Sequence, residues 1–87
     1  MAKHASHPDI IARLKRAHGH LAGVLSMFEA GRPCVNLAQQ LHAVESAISN
    51  AKRELIHDHI ENCLDETTDA GNSRTALKEL KTLAKYL

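Results

Sequence analysis

From Cys34 to Glu66 the chain contains neither glycine nor proline, and apolar residues recur through it every three or four positions. Val35, Leu37, Ala38, Leu41, Val44, Ala47, Ile48, Ala51, Leu55, Ile56, Ile60, Cys63 and Leu64 form that stripe. Such spacing predicts one unbroken amphipathic helix. At ~1.5 Å per residue it would be about 50 Å long. Nothing else in the sequence matches that length, and this mismatch constrains every architecture open to the chain.

A shorter helix precedes it. Ser6-His7-Pro8-Asp9 reads as a helix start, with a proline in the first turn and an acid three after the serine. Ile10, Ile11, Leu14, Ala17, Leu21, Val24, Leu25 and Phe28 make its stripe, and Gly31-Arg32-Pro33 ends it. Asp69-Ala70-Gly71-Asn72-Ser73 reads as a loop, and a third helix follows with Leu77, Leu80, Leu83, Ala84 and Leu87 on one side. No alternating run marks a β-strand. The reading is an all-α chain of three helices, residues 1–87 as a single domain with a flexible tail over 1–6. Helices one and three are too short to cover helix two. The chain is therefore expected to pair as an antiparallel dimer in which helices one and two of both copies form a four-helix bundle. A monomeric three-helix bundle is the competing arrangement, and it leaves the C-terminal half of helix two poorly shielded.

Composition removes several functions. Among 87 residues there are 11 Lys+Arg and 10 Asp+Glu, so nucleic-acid binding would need a local basic patch. With one Phe, one Tyr and no Trp, there is no aromatic platform for stacking bases. Two cysteines and no signal peptide fit a reducing cytoplasm. No apolar run approaches the ~20 residues of a membrane span.

Within LIHDHIENCLDE, residues 55–66, His59 and Cys63 stand four apart and project from one helix face. Two such ligands rarely complete a metal site. The other cysteine, Cys34, begins the same helix 25 positions before His59, about 37 Å away along a straight rod. Metal–ligand bonds are only about 2.0–2.3 Å, so one chain cannot bring the three together. In an antiparallel pair, Cys34 of one copy would lie beside His59 and Cys63 of the other, giving two sites per dimer. The same residues also fit a small buried apolar cysteine and a surface histidine.

RLKRAHGHLAGV (13–24), a cysteine opening helix two, LAQQLHAVESAI (37–48) and DHIENC (58–63) together resemble the CsoR/RcnR family of metal- and thiol-responsive repressors, over about residues 7–87. The resemblance implies an all-α protein, dimeric at its core and usually a disc-shaped tetramer, that binds operator DNA without a helix-turn-helix. It implies Cys34, His59 and Cys63 as metal ligands. SHPDIIARLKRAHGHL looks most like the nickel- and cobalt-responsive branch, whose members recruit a further nitrogen ahead of helix one; here His4, His7 or the terminal amine would serve. Ni(II) or Co(II) is then the expected inducer, acting on a repressor of metal efflux or resistance. Cu(I) is the alternative, since a trigonal Cys2His set suits it. Pro33 and Val35 flank Cys34 where copper sensors usually carry a Tyr, which weakens that alternative. Persulfide sensors lack the His at 59 and formaldehyde sensors the second Cys, so thiol- and aldehyde-responsive readings rank lower. Most members carry Gly-Gln where this chain has Gly19-His20, and a polar packing role is expected for His20.

For DNA, Arg13, Lys15 and Arg16 cluster on helix one away from its apolar stripe, and Lys52 and Arg53 lie on helix two. Arg13 and Arg16 match basic positions the family uses on DNA. His42 is expected to be polar or interfacial and His57 to face solvent. A thiol enzyme built on Cys34 or Cys63 with His59 is a poor fit, because no glycine-rich oxyanion loop accompanies them. A simple metal buffer would bind metal but no DNA.

Overall fold

The computed structural model describes residues 6–66 and 70–87, and describes 63–66 and 70–73 by their backbone alone. His4, the rest of the expected tail over 1–5, and the side chain of Cys63 lie outside the described residues. Three helices follow in order: α1 (His7–Glu29), α2 (Cys34–Glu66) and α3 (Ala70–Ala84). The described residues contain no strand.

Pro8 sits in the first turn of α1, where its missing N–H costs nothing, and Asp9 places a negative charge at the positive end of the helix. The expected side-chain cap is absent, since Ser6 adopts a helical conformation (φ −84°, ψ −8°) and its hydroxyl bonds no first-turn amide. At the other end the chain reverses on Gly31, whose φ of +70° is strained for any residue with a Cβ. Its amide donates to the Phe28 carbonyl at 3.1 Å, and the Arg32 amide reaches back to the Met27 carbonyl at 3.1 Å. This left-handed cap satisfies carbonyls that the helix end would otherwise leave open. Pro33 then lends its carbonyl to the Leu37 amide at 3.1 Å, so α2 begins at once with Cys34 as its first residue.

α3 starts at Ala70, earlier than the composition of 69–73 implies. The first turn of a helix needs no intrahelical partners for its amides, so Gly71, Asn72 and Ser73 are tolerated there. The expected α3 stripe is also only partly used. Ala76 is buried and Leu80 and Leu83 half-buried, whereas Leu77 is exposed, and Leu87 lies past the helix end and is exposed.

α1 and α2 form an antiparallel hairpin. The buried positions are Ile10, Ala17 and Val24 on α1 and Leu37, Val44 and Ala51 on α2, each row spaced by seven. Antiparallel packing buries these two rows between the helices. The alanines bring the helix axes close, as a seven-residue seam requires. Among the described residues α3 packs on α2, around Leu55 and His59, and does not touch α1, so they do not form a three-helix bundle.

The outcome is a slab of 58 × 25 × 13 Å. Its accessible surface is 6581 Å², whereas a compact monomer of 9.5 kDa would expose about 5,000 Å². Eight apolar residues are buried among those described, three of them alanine. Among the described residues no helix is long and apolar enough to cross a membrane.

Candidate functional site

The two long sides of the hairpin differ. On one side a second seven-residue row on each helix stays open: Leu14, Leu21 and Phe28 on α1, and Leu41 (41% exposed), Ile48 (45%) and Leu55 (40%) on α2. Extending the α2 row back by seven reaches Cys34, which is exposed. The thiol therefore heads an apolar row that no part of the described chain covers.

Near the other end of α2, His59 is half-buried, with its side chain 24% exposed. Its Nε2 stands 3.4 Å from Oε1 of Glu79 on α3. His59 and Glu79 line an open groove of about 430 Å³ with Leu55, Thr75, Lys78 and Leu83. One residue before His59, the Asp58 carboxylate lies 4.0 Å from Nε2 of His7, which brings the start of α1 to the tail of α2. Asn62 steadies this turn, its amide donating to the Asp58 carbonyl at 2.8 Å and to Asp58 Oδ1 at 3.0 Å.

The structure therefore gathers His7 and His59 at one end of the hairpin and leaves Cys34 at the other, about 37 Å away along the unbroken α2. Among the described residues no three His, Cys, Asp or Glu side chains of a single chain converge as a metal site. His42 and His57 are exposed and pair locally with Glu45 at 3.8 Å and Glu61 at 3.3 Å. Surface pairs of this kind contribute little. Sequence spacing does not point to Asp58 and Glu79. His59 finds Glu79 only through the docking of α3, although Asp58 stands beside His59 in the chain.

The opposite side of the hairpin is polar. Arg13 Nε lies 3.4 Å from Glu54 Oε2, joining α1 to α2. His20 Nε2 donates to the Gln40 side-chain oxygen at 2.6 Å, the polar packing expected of His20. Arg13, Arg16, His20 and Asn50 ring a concavity of about 280 Å³ floored by Ala17 and Ala47. A neighbouring concavity is lined by Glu45, Ser46, Ser49, Asn50 and Arg53. Of the five basic residues expected on DNA, Arg13 and Arg16 share the first of these and Arg53 lines the second, while Lys15 and Lys52 line neither.

A long antiparallel hairpin with a third helix docked on its tail defines a class of small all-helical proteins. Residues 6–86 match the metal-sensitive transcriptional repressors, and the chain belongs to that family, which is one of repressors and not of enzymes. The copper-sensing transcriptional repressor CsoR of Mycobacterium ulcerans is 38% identical over 74 residues, covering 85% of this chain and 63% of that protein. CsoR of Bacillus subtilis is 35% identical over 72 residues, 83% of this chain and 71% of that protein. The chain thus spans less than two thirds of the length of the mycobacterial relative. Among solved structures, the nickel-responsive transcriptional regulator InrS superposes with a TM-score of 0.82 at 32% identity, covering 94% of this chain and 93% of that one.

Proposed function

We propose that this protein is a cytoplasmic repressor that holds operator DNA when metal-free and releases it when Ni(II) or Co(II) binds between two copies of the chain. The observation that carries the reading is the position of Cys34 at the head of the exposed row 34, 41, 48, 55. A two-fold axis at Ile48 pairs that row with itself, Leu41 facing Leu55 of the second copy. Cys34 then falls beside position 62 of that copy, one residue from Cys63 and three from His59. The dimer that covers the apolar side therefore also completes the ligand set, and pairing of dimers to a tetramer would bring the polar sides together into a larger DNA-facing surface.

The donor set fits a borderline-soft cation, with two thiolates, the His59 imidazole and a fourth nitrogen from His7 or His4. His7 favours Ni(II) and Co(II), because its contact with Asp58 sets it at the same end of α2 as His59. The Cu(I) alternative uses Cys34, His59 and Cys63 alone, and the copper-sensing relatives support it. When bound, the ion supplies a bridge between the head of one α2 and the tail of the other. Glu79, 3.4 Å from His59 Nε2, would help to orient the ring when His59 holds the ion. Arg13, Arg16 and Arg53 hold the DNA backbone. Metal must weaken DNA binding by the same factor by which DNA weakens metal binding.

Anaerobic titration of the reduced protein with Ni(II), Co(II) and Cu(I), followed by electronic spectra, tests the ion. Thiolate charge-transfer bands with square-planar nickel transitions are expected, and tight Cu(I) binding without Ni(II) binding would reverse the order. The shared site is tested by mixing Cys34→Ser and His59→Ala chains. Neither variant alone should bind metal. Each hybrid dimer keeps one intact site, so random mixing restores about a quarter of wild-type capacity. No recovery on mixing would rule out ligands shared across subunits.

A further inference from the structure

We propose that the outward stripe of α3, formed by Arg74, Lys78, Lys81 and Lys85, is a second DNA contact that holds the duplex flanking the operator. The inference rests on the DNA-binding reading above and deepens it with a surface that reading does not use.

The four cations stand at intervals of four, three and four, so they share one side of the helix. That side lies opposite the row of Ala76, Leu80 and Leu83, and all four residues are exposed. Lys85 follows the last helical residue, and its amide donates to the Thr82 carbonyl at 3.2 Å, which keeps the chain turning. Arg74 and Lys85 are thus about 16 Å apart at ~1.5 Å per residue. Lys78 also edges the groove between α2 and α3. None of the four has a carboxylate partner among the described residues. The one acid within α3, Glu79, stands 3.4 Å from His59 instead.

A solvated helix face ordinarily mixes the two signs, as α2 does with His42 beside Glu45 and His57 beside Glu61. Along α3 every neighbouring pair in the stripe is like-charged, which disfavours the helix. The helix dipole welcomes cations only in the last turn, so it accounts for Lys81 and Lys85 but not for Arg74 and Lys78. An anion laid along the stripe removes the repulsion. Four of the chain's 11 Lys+Arg are gathered here although its net charge is +1, so the fitting partner is linear and densely negative. About 16 Å of one DNA strand carries roughly five phosphates at ~3.4 Å each, and transcriptional repressors are the family to which the chain belongs. Arg13 and Arg16 sit where α1 meets α2. The stripe faces away from α2, on a helix that does not touch α1 among the described residues. The two cationic surfaces are therefore separate, and a duplex seated on the arginines meets α3 where it runs on beyond them. Such phosphate contacts add affinity and salt dependence without reading sequence.

The test uses the full-length, metal-free protein and a duplex recovered by it from a randomised pool. That duplex is prepared in two lengths: trimmed to the shortest form that still binds, and extended from there by about one helical turn, ~10 base pairs, at each end. Affinity is measured by fluorescence anisotropy over a series of salt concentrations. The variant combines Arg74→Gln with Lys81→Gln, two exposed positions that line no groove, and circular dichroism should show its helices unchanged. On the long duplex the variant should bind several-fold more weakly than wild type, and its slope of log affinity against log salt should be lower by about two, one for each lost phosphate contact. On the trimmed duplex the two proteins should match. Equal affinities and slopes on the long duplex would overturn the α3 contact while leaving DNA binding intact. An equal deficit on both duplexes would overturn its placement on flanking DNA. Failure of wild type to recover any duplex would overturn the DNA reading itself, and the α3 contact with it.

Discussion

The two sides of the α1–α2 hairpin use the same helices and the same seven-residue spacing, yet the side chains of one find partners within the chain and those of the other do not. On the polar side, Arg13 meets Glu54 and His20 meets Gln40. On the apolar side, Leu14, Leu21, Phe28, Leu41, Ile48 and Leu55 meet solvent. Polar side chains find partners locally, because a hydrogen bond needs only one well-placed atom. Apolar side chains need area, and a hairpin 13 Å thick has none left to offer. The difference teaches that the chain leaves half of its apolar surface unpacked, and it marks where the proposed second copy would sit.

Three substitutions separate the sides, in decreasing order of effect. Ile48→Asp places a carboxylate at the proposed two-fold axis, facing its own copy. Burying two like charges there should weaken self-association by at least about 4 kcal/mol, roughly a thousandfold. Light scattering coupled to size exclusion should then report the 9.5 kDa monomer, and an unchanged oligomer would show that the apolar row is not the interface. Arg16→Ala acts on the other side. It should weaken DNA binding by about 1–2 kcal/mol and lower the slope of log affinity against log salt by about one, because one phosphate is no longer neutralised. Metal affinity should stay unchanged. Anisotropy titrations at two salt concentrations measure this, and a parallel loss of metal affinity would mean the two sides are not separable. The smallest effect belongs to the turn that both sides share. Gly31→Ala forces a Cβ into φ +70° and should cost about 1 kcal/mol, or ~4–8 °C in melting temperature for a chain of this size. Calorimetry at fixed protein concentration would show it, and an unshifted melt would contradict the left-handed cap.

Much of this fold could be read from the residues alone. The Gly31-Arg32-Pro33 break and the proline-free run from Cys34 place α1 and α2 where the structure has them. What spacing could not do was separate Ile10, Ala17 and Val24 from Leu14, Leu21 and Phe28. Both rows obey the same three-and-four rule, and only packing decides which row is used within the chain. α3 was legible as a helix but not at its start, because Gly71, Asn72 and Ser73 suit a loop and a first helical turn equally. At the site, Cys34 and His59 announced themselves by residue type. Asp58 and Glu79 did not, since a carboxylate becomes a partner only when another helix delivers a histidine to it. His20 and Gln40, twenty residues apart, met for the same reason.

That α1 and α3 do not touch among the described residues gives the molecule one spine and two separate limbs. Anything that shifts the α3 limb reaches Arg13 of α1 through a short stretch of α2, where Leu55 and His59 meet α3 and Glu54 meets Arg13. In the proposed dimer a second route would open, because the end of one spine would lie next to the beginning of the other. Cys34, at the far end of the same spine, would be reached sooner across that pair than along α2, so the head of the spine would answer to a neighbour while its tail answers to its own third helix.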